Sequence, residues 1–441
     1  MNAEDKKIKI FVVSLGCDKN RVDTEEMLGN LWGYIIASRP EEADLIIVNT
    51  CAFIEKAREE AVDTILEMAS YGKKLVVTGC LAEKYSEELI KEIPEIDGLM
   101  GTDDYSAARE IVDRVLAGEK CNFVGKGKAL YGGERLITTP VHYAYLRIAD
   151  GCGNHCTFCT IPSIRGEYRS VPADILIKEA ENLAGEGVKE LILVAQDTTR
   201  YGSDFKDGTN LTSLLKELSL IDGIEWIRLL YCYPDGMTDE LIEEIVNNSK
   251  IVKYADIPLQ HVSDSVLKRM GRKNSSSEIK SLITRLKAEG ISVRTTFMVG
   301  FPGESEEEFS ELTEFVREYK LDNVGIFMYS AEEDTPSFKI PGHLSERIKK
   351  QRYKILAAEQ YEVIKQNNAA YIGRTVTVRY EDMDFKKRLF KGRMPEQTPD
   401  ADGCVYFKSE FPLNVGELYS VKIEKFKGYD LYGKTEERFS E

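Results

Sequence analysis

The 441-residue sequence predicts an α/β chain in three parts: an N-terminal open parallel sheet, a central partial (βα)6 barrel and a small all-β barrel at the end. Three observations carry this. Short apolar runs alternate with helix-length amphipathic stretches from Lys7 to Leu116. The alternation resumes at Tyr143 and yields six strand–helix units by Glu318 and Tyr329. Beyond Gly373 the helical period stops, and strand-like runs are separated by turn residues. Alternating short strands and helices imply parallel βαβ units, whereas short strands punctuated by Gly, Pro and Asn imply a closed all-β unit.

In chain order, Lys7–Leu15, Asp44–Asn49 and Lys74–Thr78 read as buried strands, and Val22–Trp32, Phe53–Met68, Glu83–Glu92 and Ser106–Leu116 as helices. A boundary falls near Gly132-Gly133-Glu134-Arg135, with Leu136–Pro140 as a linker. The barrel strands are expected at Tyr143–Ile148, Glu190–Val194, Trp226–Tyr231, Tyr254–Pro258, Ser292–Val299 and Asn323–Tyr329. Helices between them include Pro172–Glu186, Leu211–Leu218, Asp239–Asn247, Asp264–Met270, Ser276–Glu289 and Ser305–Glu318. Ser305 followed by three glutamates marks a helix start by capping and by charge at the helix dipole. After a helix over Lys354–Asn368, strands are read at Thr375–Tyr380, Cys404–Lys408 and Leu418–Phe426, which suits a five-stranded barrel.

Composition narrows the function. The chain is 42% hydrophobic and 30% charged, which is globular. Met1–Lys7 carries no apolar secretory segment and no apolar run reaches membrane-span length, so no membrane partner and a cytoplasmic location are expected. Nine cysteines then read as thiols or metal ligands rather than a disulfide framework. The net charge of −16 is a poor footprint for nucleic-acid binding and suits a basic partner.

Two sets of cysteines stand out. Cys152, Cys156 and Cys159 sit in one loop at C-x3-C-x2-C spacing, directly after a strand. Three ligands are one short of a structural zinc site. A four-iron cluster on three cysteines keeps one iron open for another ligand. The second set, Cys17, Cys51 and Cys80, is spread over the N-terminal third, each at the carboxyl end of a predicted strand. In a parallel sheet those ends share one edge, where ligands bind, so three distant thiols meet there. Cys121 belongs to neither set and reads as structural.

The loop Gly151-Cys152-Gly153-Asn154-His155-Cys156-Thr157-Phe158-Cys159 resembles the cluster-binding motif of radical S-adenosylmethionine (SAM) enzymes. Ser14-Leu15-Gly16-Cys17-Asp18-Lys19-Asn20-Arg21-Val22-Asp23, with Asn49-Thr50-Cys51 and Thr78-Gly79-Cys80, resembles the N-terminal domain of the methylthiotransferases within that superfamily. The resemblance covers essentially the whole chain. It implies an N-terminal domain over 1–133, a linker over 134–140, a radical SAM barrel over 141–372 and a TRAM domain over 373–441. It implies two [4Fe–4S] clusters, an auxiliary one on Cys17, Cys51 and Cys80 and a radical-generating one on Cys152, Cys156 and Cys159, with SAM as cosubstrate. No catalytic group is implied beyond the ligands. By position, Phe158 matches the residue packing near the adenine of SAM and Gln196 the amino-group contact. Arg294 matches a carboxylate partner of SAM, with a salt bridge on the barrel wall as its competing role. A low-potential electron donor of flavodoxin or ferredoxin type is implied as a partner.

Two subfamilies compete over the substrate. One modifies an aspartate of the small-subunit ribosomal protein twelve, the other an adenosine of tRNA. Ser14–Asp23, Leu229–Pro234 and Asp256–Asp264 resemble the ribosomal-protein subfamily. From Thr375 to the end, 12 Lys and Arg face 13 Asp and Glu, so the last domain offers phosphates no cationic surplus and tRNA is not the expected substrate. A non-catalytic iron–sulfur RNA-binding protein is the third reading, and it would need no SAM.

Overall fold

The computed structural model describes residues 7–126 and 132–438. The ends of the chain and 127–131, which fall within the expected first and last domains, lie outside the described residues. The N-terminal unit is one parallel sheet of β1 (Lys9–Ser14), β2 (Ile35–Ile36), β3 (Leu45–Thr50), β4 (Lys74–Gly79), β5 (Gly98–Leu99) and β6 (Cys121–Asn122). The strand order is β2-β1-β3-β4-β5-β6. Strand β3 is buried along its whole length, as a central strand covered on both faces must be. The order reverses between β1 and β3, which is where such sheets open a crevice. The β2, β5 and β6 strands have two residues each, too few to show a period in sequence. Cys121 lies in β6, half-buried beside the core around Ile111 and Val115.

The first helix departs from its expected bounds. It spans Asp18–Gly29, starting directly after Cys17. Its buried residues include Lys19, Asn20, Asp23, Thr24 and Glu25, so the buried face is largely polar and leaves no apolar stripe to read. The expected helix over Glu83–Glu92 is two, Cys80–Lys84 and Ser86–Glu92, because Tyr85 leaves the helical region at φ −129°.

The central unit begins with β7 (Tyr143–Arg147), followed by the two-residue strands β8 (Ala149–Asp150) and β9 (Arg169–Ser170), which pair antiparallel. β10 (Glu190–Val194), β11 (Trp226–Leu229), β12 (Ile251–Asp256), β13 (Ser292–Val299) and β14 (Asn323–Met328) complete a six-stranded parallel sheet in the order β7-β10-β11-β12-β13-β14. Sequential parallel neighbours joined by helices make a partial barrel. Its two faces alternate along each strand, as the pleat requires. Ala144, Leu146, Leu191, Leu193, Ile227 and Leu229 join the helix-facing core. Tyr143, Tyr145, Ile192, Val194, Trp226 and Tyr254 form a second cluster that also takes in Val22 of the first unit and, at its edge, Leu418 of the last.

The helix Glu346–Ala369, longer at its start than expected, leads to a closed five-stranded barrel. Its strands are β15 (Thr375–Asp384), β16 (Leu389–Arg393), β17 (Val405–Lys408), β18 (Leu418–Lys427) and β19 (Asp430–Arg438). Buried charge fastens it to the central unit. Glu190 accepts from Arg228 at 2.7 Å and from Arg393 of β16 at 2.7 Å. Burial pushes the Glu190 carboxyl up, but Arg393 and Arg228 outweigh it and hold it down at about 2. Among the described residues no helix is long and apolar enough to cross a membrane.

Candidate active site

Cys17, Cys51 and Cys80 lie just past the carboxyl ends of β1, β3 and β4, three adjacent strands. The backbone there is built for close approach. Gly16 has φ +94°, and a Cβ on it would lie 2.8 Å from the Cys51 Cβ. Gly79 has φ +90°, and its Cβ would lie 2.2 Å from Asn49 Oδ1. Only glycine serves at such positions. Asn20 binds the three loops together. Its Nδ2 donates to Leu15 O and Thr50 O, both at 3.0 Å, and its Oδ1 lies 3.8 Å from Cys80 Sγ. Asn49 adds donations to Asn20 O at 2.9 Å and Thr24 Oγ1 at 2.8 Å. Burial pushes the Cys80 thiol up to about 12, against the pull of Arg165, with Cys17 and Cys51 adding to the push.

The second triad is held as firmly. Cys152 N donates to Gly166 O at 3.1 Å, and Gly151, at φ +74°, admits Glu167 O to within 2.1 Å of where its Cβ would stand. Thr157 N donates to Met270 O at 2.9 Å and Thr157 Oγ1 to Arg269 O at 2.8 Å. Asn154 Nδ2 donates to Asp197 Oδ2 at 2.7 Å, which ties the loop to the end of β10. Burial pushes Cys159 up to about 12, with Cys156 and Cys152 adding and Arg272 opposing. Arg272 lies over the Tyr233 ring at 3.9 Å, and both reach Cys156 Sγ at 3.9 Å. His155 is exposed with φ +50°, within the loop.

Phe158 packs edge-on against Phe301, with ring centroids 6.4 Å apart, beside the cluster of Val266, Met270 and Tyr329. Gln196 follows β10, and both of its amide atoms are buried with no hydrogen-bond partner among the described residues. Native buried amides are nearly always paired, so this pair of atoms fits a polar ligand. Arg294 occupies the salt bridge weighed against cofactor binding: it donates to Asp402 at 2.8 Å, in the segment between β16 and β17 of the last unit, and lies 3.5 Å from Asp256. Burial pushes the Asp256 carboxyl up to about 6, against Arg294.

The two units meet directly at this site. Arg165, six positions past Cys159, reaches Asn20, Asp23 and Asp150. Arg147 pairs with Asp23 and Glu26. Tyr231, at the end of β11 with φ +59°, donates to Asp18 Oδ2 at 3.1 Å and carries the Lys19 ammonium 3.3 Å from its ring centroid. Asn20, Arg147, Arg165 and Arg272 were not legible as site residues, although Asn20 and Arg165 stand beside the cysteine motifs. Among the described residues no three His, Cys, Asp or Glu side chains gather closely enough for one metal ion. A four-iron cluster sets a different demand, because each cysteine binds its own iron. All-sulfur triads, flanked by an arginine in each case, suit that demand.

Comparison with known proteins matches three regions of the chain. The Radical SAM superfamily matches residues 146–316, the uncharacterized protein family UPF0004 residues 9–101, and the TRAM domain residues 372–435. A ribosomal protein uS12 methylthiotransferase RimO of Clostridium botulinum (strain Eklund 17B) is 49% identical over 98% of this chain and 99% of its own. The protein of that name from Geotalea uraniireducens is 46% identical over 97% and 98%. Among solved structures, the radical SAM methyltransferase TsrM of Kitasatospora setae shares the fold at a TM-score of 0.58 and 13% identity, covering 75% of this chain and 77% of that one.

Proposed function

Because the chain belongs to the RimO family of radical SAM methylthiotransferases, we propose that it inserts a methylthio group at the β-carbon of an aspartate in ribosomal protein uS12. The observation that carries this reading is the pair of cysteine triads, each at the carboxyl edge of its own parallel sheet, on units joined by Arg165 and Tyr231. Cys152, Cys156 and Cys159 would hold the radical-generating [4Fe–4S] cluster, and Cys17, Cys51 and Cys80 the auxiliary one. When bound, the first supplies with SAM a carbon-centred radical that removes an unactivated hydrogen, and the second supplies the sulfur.

The chain's own residues bind, orient and exclude water. Phe158 would pack on the adenine of SAM. Gln196, whose amide has no partner among the described residues, would meet its amino group. Arg294 is assigned to docking of the last domain, since Asp402 and Asp256 engage its guanidinium. Asn154 and Asp197 orient the Cys152 loop, and Asn20 orients the other three loops. The division of the chain follows: 1–133, a linker over 134–140, the barrel over 141–372 and the TRAM domain over 373–441. A low-potential flavodoxin or ferredoxin would deliver the electrons, in the cytoplasm.

One observation favours a tRNA adenosine as the substrate instead. On the last barrel Lys387 Nζ lies 3.4 Å from the Tyr406 ring centroid, and Tyr406 stacks on Tyr432 at 5.3 Å, a basic and aromatic platform of the sort single strands use. The lack of a cationic surplus in that domain weighs against it. Two variants test the assignment of roles. Reduced Cys156→Ala protein is expected to make no 5′-deoxyadenosine from SAM. Cys51→Ala is expected to make it while transferring no sulfur. Loss of stability alone in both variants, with products unaltered, would refute the division.

A further inference from the structure

Arg165 ends the short helix Ile161–Arg165 that follows the barrel's cysteine loop. It is 3% exposed, and it crosses from the barrel into the N-terminal unit. One terminal nitrogen lies 2.5 Å from Asp23 Oδ2, 3.0 Å from Asn20 Oδ1 and 3.8 Å from Cys80 Sγ. The other donates to Asp150 Oδ2 at 3.2 Å. A buried guanidinium needs neutralising, and Asp23 and Asp150 do this, although Arg147 shares both carboxylates. Neutralisation therefore accounts for the aspartates but not for the approach to sulfur. Asn20, which lines that approach, is itself fixed by Leu15 and Thr50, so the guanidinium and Cys80 are held at one separation.

A cysteine that binds iron does so as the thiolate, and an N–H donated to a thiolate by a cation is charge-assisted. Hydrogen bonds to ligating sulfurs and nearby charge set the potential of an iron–sulfur cluster, because the reduced state carries one more negative charge. We propose that Arg165 is a positioning residue that raises the reduction potential of the auxiliary [4Fe–4S] cluster by donating to Cys80. The inference rests on the assignment of Cys17, Cys51 and Cys80 as that cluster's ligands. It makes the sulfur-supplying site depend on a side chain carried by the short helix that follows the radical-generating loop. Barrel docking and auxiliary-site electronics are then one event, since undocking withdraws the donor.

The test uses the full chain with Cys152, Cys156 and Cys159 replaced by Ala, so that only the auxiliary cluster is read. The anaerobically reconstituted protein is titrated with titanium(III) citrate, which supplies the single electron, and the reduced cluster is counted by electron paramagnetic resonance. Against this reference, Arg165→Met is expected to lower the reduced-to-oxidised ratio at fixed potential by about tenfold, about 59 mV for one electron. Arg165→Lys keeps the charge that Asp23 and Asp150 neutralise but loses the fork, and is expected to shift the ratio in the same direction by less. An unchanged potential in either variant, at full iron loading, overturns the proposal. Loss of the cluster from both variants also overturns it, leaving Arg165 a role in assembly alone. Failure of the reference itself to hold four irons refutes the ligand assignment on which the inference stands.

Discussion

At the scale of single residues, the site depends on what glycine permits and on what is left unpaired. Gly16 stands at φ +94°, and a Cβ there would press on Cys51 Cβ and on Asn20 Nδ2, at 2.8 and 2.9 Å. Gly16→Ala is therefore expected to deprive the chain of its auxiliary cluster alone. Iron content should fall from about eight to about four per chain, while SAM cleavage persists. An iron count with a 5′-deoxyadenosine assay reads both, and full loading would contradict the account. Gln196 gives the opposite kind of prediction. Its amide forms no hydrogen bond among the described residues, so Gln196→Leu is expected to leave the melting temperature unchanged or raised. Affinity for SAM should fall by about tenfold, the worth of one hydrogen bond to a charged group. Equilibrium dialysis with labelled SAM measures it, and unaltered affinity would remove Gln196 from the site.

At the scale of elements, local signals and long-range ones part company. The helix Glu306–Tyr319 was legible from its capping sequence, and Ser305 does accept from Glu308 N within a reciprocal capping box. Ser305→Ala is expected to cost about 1 kcal/mol, read as a lowered denaturation midpoint with an unchanged slope. The placement of Cys17, Cys51 and Cys80 after the ends of their strands was legible for the same reason, since loop position is a local fact. The helix Asp18–Gly29 was misread at its start because it buries polar side chains against another unit, which a search for apolar periodicity passes over. Arg165 escaped notice because its meaning comes from Asn20, 145 positions away. Strands of two residues, such as β5 and β6, exist through pairing with their neighbours and have no pattern of their own.

At the scale of the whole molecule, ion pairs buried between units hold the three parts together. Glu190 is the centre of the contact with the last barrel, between Arg228 and Arg393. Glu190→Gln leaves two cations underneutralised and is expected to destabilise the chain by about 3–5 kcal/mol. Folded, Glu190 is held down at about 2, below its ordinary value of 4.5. Its stabilisation is thus complete above pH 4.5 and fades as the pH falls toward 2. Denaturation midpoints of the two proteins should converge over that window, and a constant difference would contradict the assignment.

The central claim is that two open triads, joined across one interface, transfer a methylthio group to a protein. It is tested by incubating the reconstituted enzyme with SAM, sulfide, a reductant, and uS12 together with tRNA, followed by mass spectrometry of both macromolecules. The account predicts a methylthio mass gain on a uS12 aspartate and none on tRNA. A gain on tRNA with none on uS12 would contradict it.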